Sequence, residues 1–306
     1  MTHPPSPPLD RRGVALGVSA NAVWGLFPAF WPLLDPASPL EVLAHRILWT
    51  MVLMAGVLTA LRRWSDLRGL SWRVWAAVAV AAVVITANWG VFIYGVSVDH
   101  VVDISLGYYV SPLISVLLAV LVLRERPTPA QVAALTIATA AVVVISVGSG
   151  TVPWLGLILA VSFGLYGLIK KTVPLGSMTS LTAESLLVGP LALAAAVVFE
   201  VAGHGTFTGH GAVHPLLMVL AGPITALPLL LYGAAARRIP LTTVGTLMYL
   251  TPTLQFLWGV LANGEAMPPS RWIGFGLVWV ALVIFTVDLF RSTRNRPAAQ
   301  AIRSTV

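Results

Sequence analysis

Residues 109–131, YVSPLISVLLAVLVLRERPTPAQ, return 140 positions later as residues 249–271, YLTPTLQFLWGVLANGEAMPPSR. Tyr109 falls on Tyr249, Ser111 on Thr251, Pro112 on Pro252, Glu125 on Glu265 and Pro129 on Pro269, all at one offset. Trp24-Gly25-Leu26 lies over Tyr166-Gly167-Leu168 at nearly the same spacing. Each copy is an apolar run close to the ~20 residues that cross ~30 Å of hydrocarbon as a helix. Working outward, apolar segments read at 13–34, 39–61, 73–95, 104–123, 129–147, 153–169, 178–200, 213–236, 242–262 and 271–290, five to each copy. An odd number of spans inverts the second copy and relates the halves by an axis in the membrane plane. Inverted repeats of this kind place a transported solute near mid-membrane, between the halves. The expected fold is an all-α polytopic membrane protein with ten transmembrane helices as two inverted five-helix repeats. These are residues 13–147 and 153–290, flanked by a disordered tail, 1–12, and a basic tail, 291–306.

Composition agrees with a membrane-embedded chain. Of 306 residues, 58% are apolar and 9% charged, against roughly 25% charged in soluble domains; mean hydropathy is +0.89. The absence of cysteine excludes a disulfide scaffold, thiolate metal sites and a cysteine nucleophile. The net charge of +7 is positional. With the N-terminus placed in the cytoplasm, 16 of the 18 basic residues fall on that side, in both tails and in the loops carrying Arg62, Arg124, Lys170 and Arg237. Such asymmetry follows the positive-inside rule, so the basicity orients the chain in its membrane with both termini in the cytoplasm, and is no nucleic-acid footprint. Only Arg271 breaks the rule in a loop, and Arg46 lies within a segment. Trp31, Trp154 and Trp272 near the outer ends, and Trp64, Trp72 and Trp75 at the first inner loop, suit an interfacial aromatic belt.

Intramembrane polar groups are costly and point to function. His45 and Arg46 lie about two turns into the second segment from its outer end, and Glu184 lies at a mirrored depth from the inner end of the seventh. On this reading Arg46 is an anion-binding or gating cation, Glu184 its inward counterpart, and either His45 or Glu184 a proton carrier. The competing reading has Arg46 snorkelling outward or pairing loosely with Glu41, and Glu184 reaching the inner interface. Asn88 and Gln255 are candidate cavity residues whose alternative role is gluing helices together. Trp24, Tyr109, Tyr166 and Tyr249 are candidate aromatic walls whose alternative is packing. Pro112 and Pro252, at matched positions, each remove an amide donor and are candidate hinges. Pro28, Pro190, Pro223 and Pro228 lack matched partners and read as kinks. The fifth and tenth segments hold no strongly polar mid-membrane group, so they are expected at the periphery.

The stretches ANAVWGLFPAFWPLL, LEVLAHRILW, NWGVFIYGVS, SLGYYVSPLISVLLAVLVLRERPT and IPLTTVGTLMYLTPTLQFLWGVLANGE resemble EamA-type members of the drug/metabolite transporter superfamily, specifically the RarD (chloramphenicol-sensitivity) group. The resemblance spans about 13–290 and is most specific at the AHR triplet, the NW pair and the two Tyr–x–x–Pro segments. It implies an inner-membrane permease of two EamA repeats that exports small metabolites or drugs. One departure stands out: family members carry Asn before the fourth-segment proline, where this chain has Ser111.

No catalytic constellation is present in the sequence: there is no HExxH or other metal-ligand spacing, no G-x-S-x-G elbow and no P-loop. The last point excludes an ATP-driven pump within this chain. The expected function is a secondary active transporter, an exporter of a small organic solute by alternating access. Its partners are that solute, the lipid bilayer and, as candidate coupling ion, protons; no cofactor or metal is called for. Two other classes remain on sequence grounds, a membrane enzyme on lipid-linked substrates and a channel or partner subunit. The first would need clustered acids or histidines at the inner interface.

Overall fold

Hydroxyl caps and prolines cut this apolar chain into helices. Ser38 caps the backbone N–H of Glu41 (3.3 Å), and Thr128 with Gln131 forms a reciprocal capping box, both bonds at 3.1 Å. Such groups satisfy amides that water would otherwise serve at a helix start. The computed structural model describes residues 10–124, 126–170, 173–239 and 241–303. Its helices are α1 (Arg11–Gly25), α2 (Phe27–Phe30), α3 (Pro39–Ala60), α4 (Trp72–Ser97), α5 (Val101–Leu123), α6 (Pro129–Ser149), α7 (Trp154–Lys170), α8 (Ser177–Val201), α9 (Val213–Ala236), α10 (Leu241–Leu247), α11 (Leu250–Leu261) and α12 (Pro269–Arg303). Short 3₁₀ turns occupy Trp31–Leu34 and Trp64–Leu67. No strand occurs among the described residues.

Eight spans among the described residues are long and apolar enough to cross a membrane, α10 and α11 counting together as one. A ninth arises if α1 and the Phe27–Leu34 segment, bent by 46° at their junction, are taken as one span; α7 is apolar but shorter, at 17 residues. Glu125, Lys171, residues 1–9 and residues 304–306, which entered the repeat and tail readings, lie outside the described residues.

The prolines differ in effect. Pro28 and Pro32, in the first turns of their short elements, remove donors just where the first span bends. Pro112 sits inside the unbroken α5. Pro252 instead falls in the first turn of α11, after a break at Met248 and Tyr249, where its missing N–H costs little. The two matched prolines therefore stand in unlike backbones. α8 and α9 run through Pro190, Pro223 and Pro228 as single helices.

Two ends can be told apart by their polar contacts. At the basic end, Arg238 approaches Asp10 (3.8 Å), Thr128 donates to Asp288 (2.9 Å) and Thr179 to Asp66 (3.3 Å). At the opposite end, Glu41 accepts from the backbone N–H (2.6 Å) and hydroxyl (3.0 Å) of Thr206. Arg271, the sequence's exception in charge placement, pairs there with Asp103 (3.4 Å), which also meets His100 (3.0 Å).

Close helix approach concentrates around α3, α5, α7 and α9. Gly107 and Gly156 stack backbone on backbone, so that a Cβ on Gly107 would stand 2.4 Å from the Gly156 carbonyl oxygen. Gly222 of α9 lies equally tight on the Trp49 carbonyl of α3. α6 and α12 pack on each other and against α5, around a core that includes Ala134, Ala138, Ala141, Phe275 and Val278.

Candidate functional site

Arg46 is buried, 3% exposed, seven residues along α3 from Pro39, or about 10 Å by helical rise. Its guanidinium carbon sits 4.2 Å from the Trp89 ring centroid, 5.0 Å from Trp31 and 5.4 Å from Phe27. The bend after α1 is what carries Phe27 and Trp31 over it. Trp31, expected at the lipid interface, is instead 4% exposed and part of this aromatic wall. An arginine held against desolvated rings gains about 2 kcal/mol or more from the ring quadrupole. Arg46 Nε donates to Thr225 Oγ1 (2.9 Å), whose own proton goes to the Ala221 carbonyl (2.8 Å). Among the described residues no carboxylate reaches ion-pair distance of Arg46; Glu41, the sequence's loose partner for it, is taken by Thr206. The Arg46 NH1 group is buried without a hydrogen-bond partner, and so is the indole Nε1 of Trp31. Two unspent donors thus belong to one aromatic cluster.

His45 points elsewhere. Its ring stacks on Phe207 (4.9 Å, 12° between planes), and Nδ1 accepts from Trp49 Nε1 (3.2 Å). An accepting Nδ1 assigns the proton of the neutral ring to Nε2, and Nε2 is buried without a partner. Phe207 belongs to the 202–212 connection, which therefore closes over α3 at the opposite end.

Glu184 lies seven residues along α8 from Ser177 and is 3% exposed. Unlike Arg46 it is fully engaged. Oε1 accepts from Lys170 Nζ (2.6 Å) and Ser180 Oγ (2.8 Å), and Oε2 from Tyr166 OH (3.0 Å). Lys170 also donates to Ser180. The sequence assigns Lys170 to a basic loop; as the last residue of α7 its long side chain reaches back to the acid. A narrow crevice between α3, α4 and α8 is lined by Ile47, Thr86, Trp89, Leu181, Glu184 and Ser185 among others, with about 10 Å³ of room, near that of one water. Trp89 lines this crevice and also stacks on Arg46, so one indole borders both sites.

Asn88 ties three helices: its amide donates to the Leu159 carbonyl (3.2 Å) and Ser162 hydroxyl (2.9 Å), and its oxygen accepts from Tyr108 OH (3.3 Å). Trp24 packs on Tyr232 (5.8 Å), and Gln255 donates to the Trp24 carbonyl (3.3 Å) while its own oxygen is buried and unpartnered. Tyr109 and Tyr249 are not brought to Arg46. Tyr109 bonds Thr253 (2.7 Å) and meets Phe275 and Trp279 edge-on, and Tyr249 reaches Thr286 (3.4 Å), so both face α12. Thr225 and Phe27 were not singled out by sequence, since each reads as ordinary helix filling; adjacency to Pro28 is the one signal that marks Phe27.

Similarity to known proteins fits these features. Residues 11–147 match the EamA-like transporter family. The chain is 46% identical over 300 residues to the protein RarD of Streptomyces exfoliatus, covering 97% of this chain and 95% of that one. The chain belongs to the RarD group of EamA-type transporters. A Bacillus subtilis transporter of uncharacterized function, YojE, is 39% identical over 90% of this chain and 94% of its own. A crystal structure at 18% identity superposes with a TM-score of 0.59, over 91% of this RarD-group chain and 98% of the other, and shares the fold.

Proposed function

We propose that this RarD-group transporter is a secondary active exporter that moves a small organic solute with an anionic or acceptor-rich head across the cytoplasmic membrane by alternating access. The observation that carries the reading is Arg46, buried among Phe27, Trp31 and Trp89 with no carboxylate at ion-pair distance among the described residues and an N–H left over, as Trp31 also has. A guanidinium cannot shed its charge, and a buried cation without a counter-ion is poised for one that arrives and leaves. The rings offer a surface for the solute's apolar body.

Ten spans in two inverted halves, 13–147 and 153–290, with both termini cytoplasmic, complete the reading. Its support is a mirrored packing pattern. α1 lies on α9 as α7 lies on α4; α5 lies on α7 as α11 lies on α1; α3 lies on α9 as α8 lies on α4. The start of α3 is tied to the 202–212 connection through Glu41 and Thr206, and the start of α8 to the Trp64–Leu67 turn through Thr179 and Asp66. Reporter fusions after residues 70, 172 and 238 should report inside, and those after 36, 100 and 207 outside.

The decisive experiment compares cell and medium metabolite contents in cells expressing the wild type, Arg46→Gln, Arg46→Lys or an empty vector. Solutes exported by the wild type should fall about thirtyfold in the Gln variant, the effect of ~2 kcal/mol of lost recognition, at equal membrane abundance. Lys, which keeps the charge without the planar fork, should lose less. Normal export by Arg46→Gln would make the arginine structural and remove this reading.

A further inference from the structure

Glu184 and Lys170 form a pair in which only one member can leave. The carboxylate is 3% exposed and seven residues deep in α8. The lysine is the last residue of α7, and its side chain is 22% exposed, so the ammonium has a short path to the basic end. When the ammonium departs, a bare carboxylate is left in an apolar wall, which is strongly disfavoured. One event removes that penalty: a proton binds Glu184. Two arrangements then avoid an unpaired buried charge, the carboxylate with Lys170 docked and the neutral carboxyl with Lys170 at the interface. The exchange conserves charge simply, because the proton enters on Glu184 and the ammonium keeps its own.

We propose that Glu184 is the coupling-proton site of this transporter, and that Lys170 is the cation that takes the proton's place when the site is empty. The proposal rests on the alternating-access reading above. The groups around the carboxylate suit the role. From α7 come Lys170 and Tyr166, and from α8 itself Ser180. From α3 and α4 the crevice residues beside it are uncharged, and Arg46 of α3 is engaged with the Trp89 ring and Thr225. Asp66, in the Trp64–Leu67 turn, is held by Thr179 and Arg63. On α9, His214 lies at the opposite end beside Thr206, and Tyr232 stands against Trp24. Lys170 is thus the one cation placed to compete with a proton for Glu184 among the described residues. His45, the other candidate from sequence, has no such competitor, being stacked under Phe207 and bonded to Trp49. The crevice beside Glu184 has room for about one water, and Lys170 ties α7 to α8 through the carboxylate, so its release loosens the packing beside the crevice.

The cysteine-free chain allows a test that needs no transported solute. Thr86→Cys places one thiol in the crevice, and Ser65→Cys places another on the exposed turn at the basic end as a reference for the reagent's own pH dependence. Maleimide labelling of inside-out vesicles is measured at about pH 8 and about pH 5.5. Labelling of the crevice thiol, relative to the reference, should rise about fivefold or more in acid, as the Lys170-released form gains population. In Glu184→Gln it should stand at the acid level at both pH values. Should that variant fail to accumulate, Lys170→Met should show the same high level, and the profile with native Glu184 decides alone if both are lost. A flat profile with native Glu184, or a Gln variant that still follows pH, overturns the proton site. A flat profile beside Arg46-dependent export removes only the proton site, whereas pH-gated labelling without Arg46-dependent export removes only the transport reading.

Discussion

Arg46 and Glu184 stand at the same depth, seven residues into α3 and α8 from opposite ends of the bundle. Both are 3% exposed, and Trp89 touches the surroundings of each. Yet the acid is met by an ammonium, a hydroxyl and a phenol, while the base has three aromatic rings, one threonine oxygen and an N–H to spare. Burial alone is therefore no guide to whether a charge is structural. What separates the two is whether the protein itself supplies the counter-charge. Glu184 has a partner that is tethered and partly wet, and Arg46 has no carboxylate at ion-pair distance among the described residues.

The largest stability effect should come from breaking the satisfied side. Lys170→Met leaves Glu184 without its cation. Stripping one partner from a buried pair costs about 3–5 kcal/mol, and the low end, about 3 kcal/mol, applies because Lys170 is partly exposed. Thermal unfolding in detergent near neutral pH should show a clear fall in midpoint. A midpoint equal to the wild type's would mean the pair is incidental.

On the unsatisfied side the sign reverses. Arg46→Met replaces an uncompensated buried cation by a flexible apolar chain of similar reach, against Phe27, Trp31 and Trp89. Stability should hold or rise by about 1 kcal/mol, since apolar replacements of buried charge are often neutral to stabilising, while export is lost. Such a trade of stability against activity is expected at a functional group. If Arg46→Met lowered the midpoint as far as Lys170→Met, the contrast between the two groups would collapse and Arg46 would be a folding residue.

The depths of Arg46 and Glu184 were legible in the sequence because a charge inside an apolar run is conspicuous and helical rise converts position into depth. Their partners were less so. Lys170 reads as one more loop base when charges are counted by segment, since counting ignores a side chain long enough to turn back into the bundle. Tyr109 drew attention through its match with Tyr249, yet Tyr108 is the tyrosine at Asn88. One residue is a 100° turn on a helix, so the match with Tyr249 singled out the face beside the one that carries Tyr108, Ser111 and Ser115. Trp31 was misjudged because position near a span end suggests the lipid interface; the proline-driven bend after α1 folds it inward instead. The helices themselves were legible from apolar length and Pro or hydroxyl punctuation, signals that need no tertiary information.

The smallest effect concerns a third acid, Glu265, which sharpens the contrast because its partners are neither a side-chain cation nor a ligand. It lies between α11 and α12 at the opposite end and accepts from the backbone N–H groups of Val101 (2.6 Å) and Val102 (3.1 and 3.2 Å), the first residues of α5. Burial pushes its carboxyl above the ordinary range; the two amides pull the other way, Asp103 adds to the rise and Arg271 opposes it. The folded state thus holds the proton to higher pH than the unfolded chain does. Its stability contribution is complete below the unfolded value of about 4.3 and declines as pH rises through the folded one. Glu265→Gln keeps an acceptor for the amides and should cost under about 1 kcal/mol, but it cannot titrate. The wild-type unfolding midpoint should therefore decline relative to that of the Gln variant as pH is raised from about 4.5 toward neutral. A difference that stays constant, or grows with pH, would show that the amides outweigh burial and that Glu265, like Glu184, is satisfied as an anion.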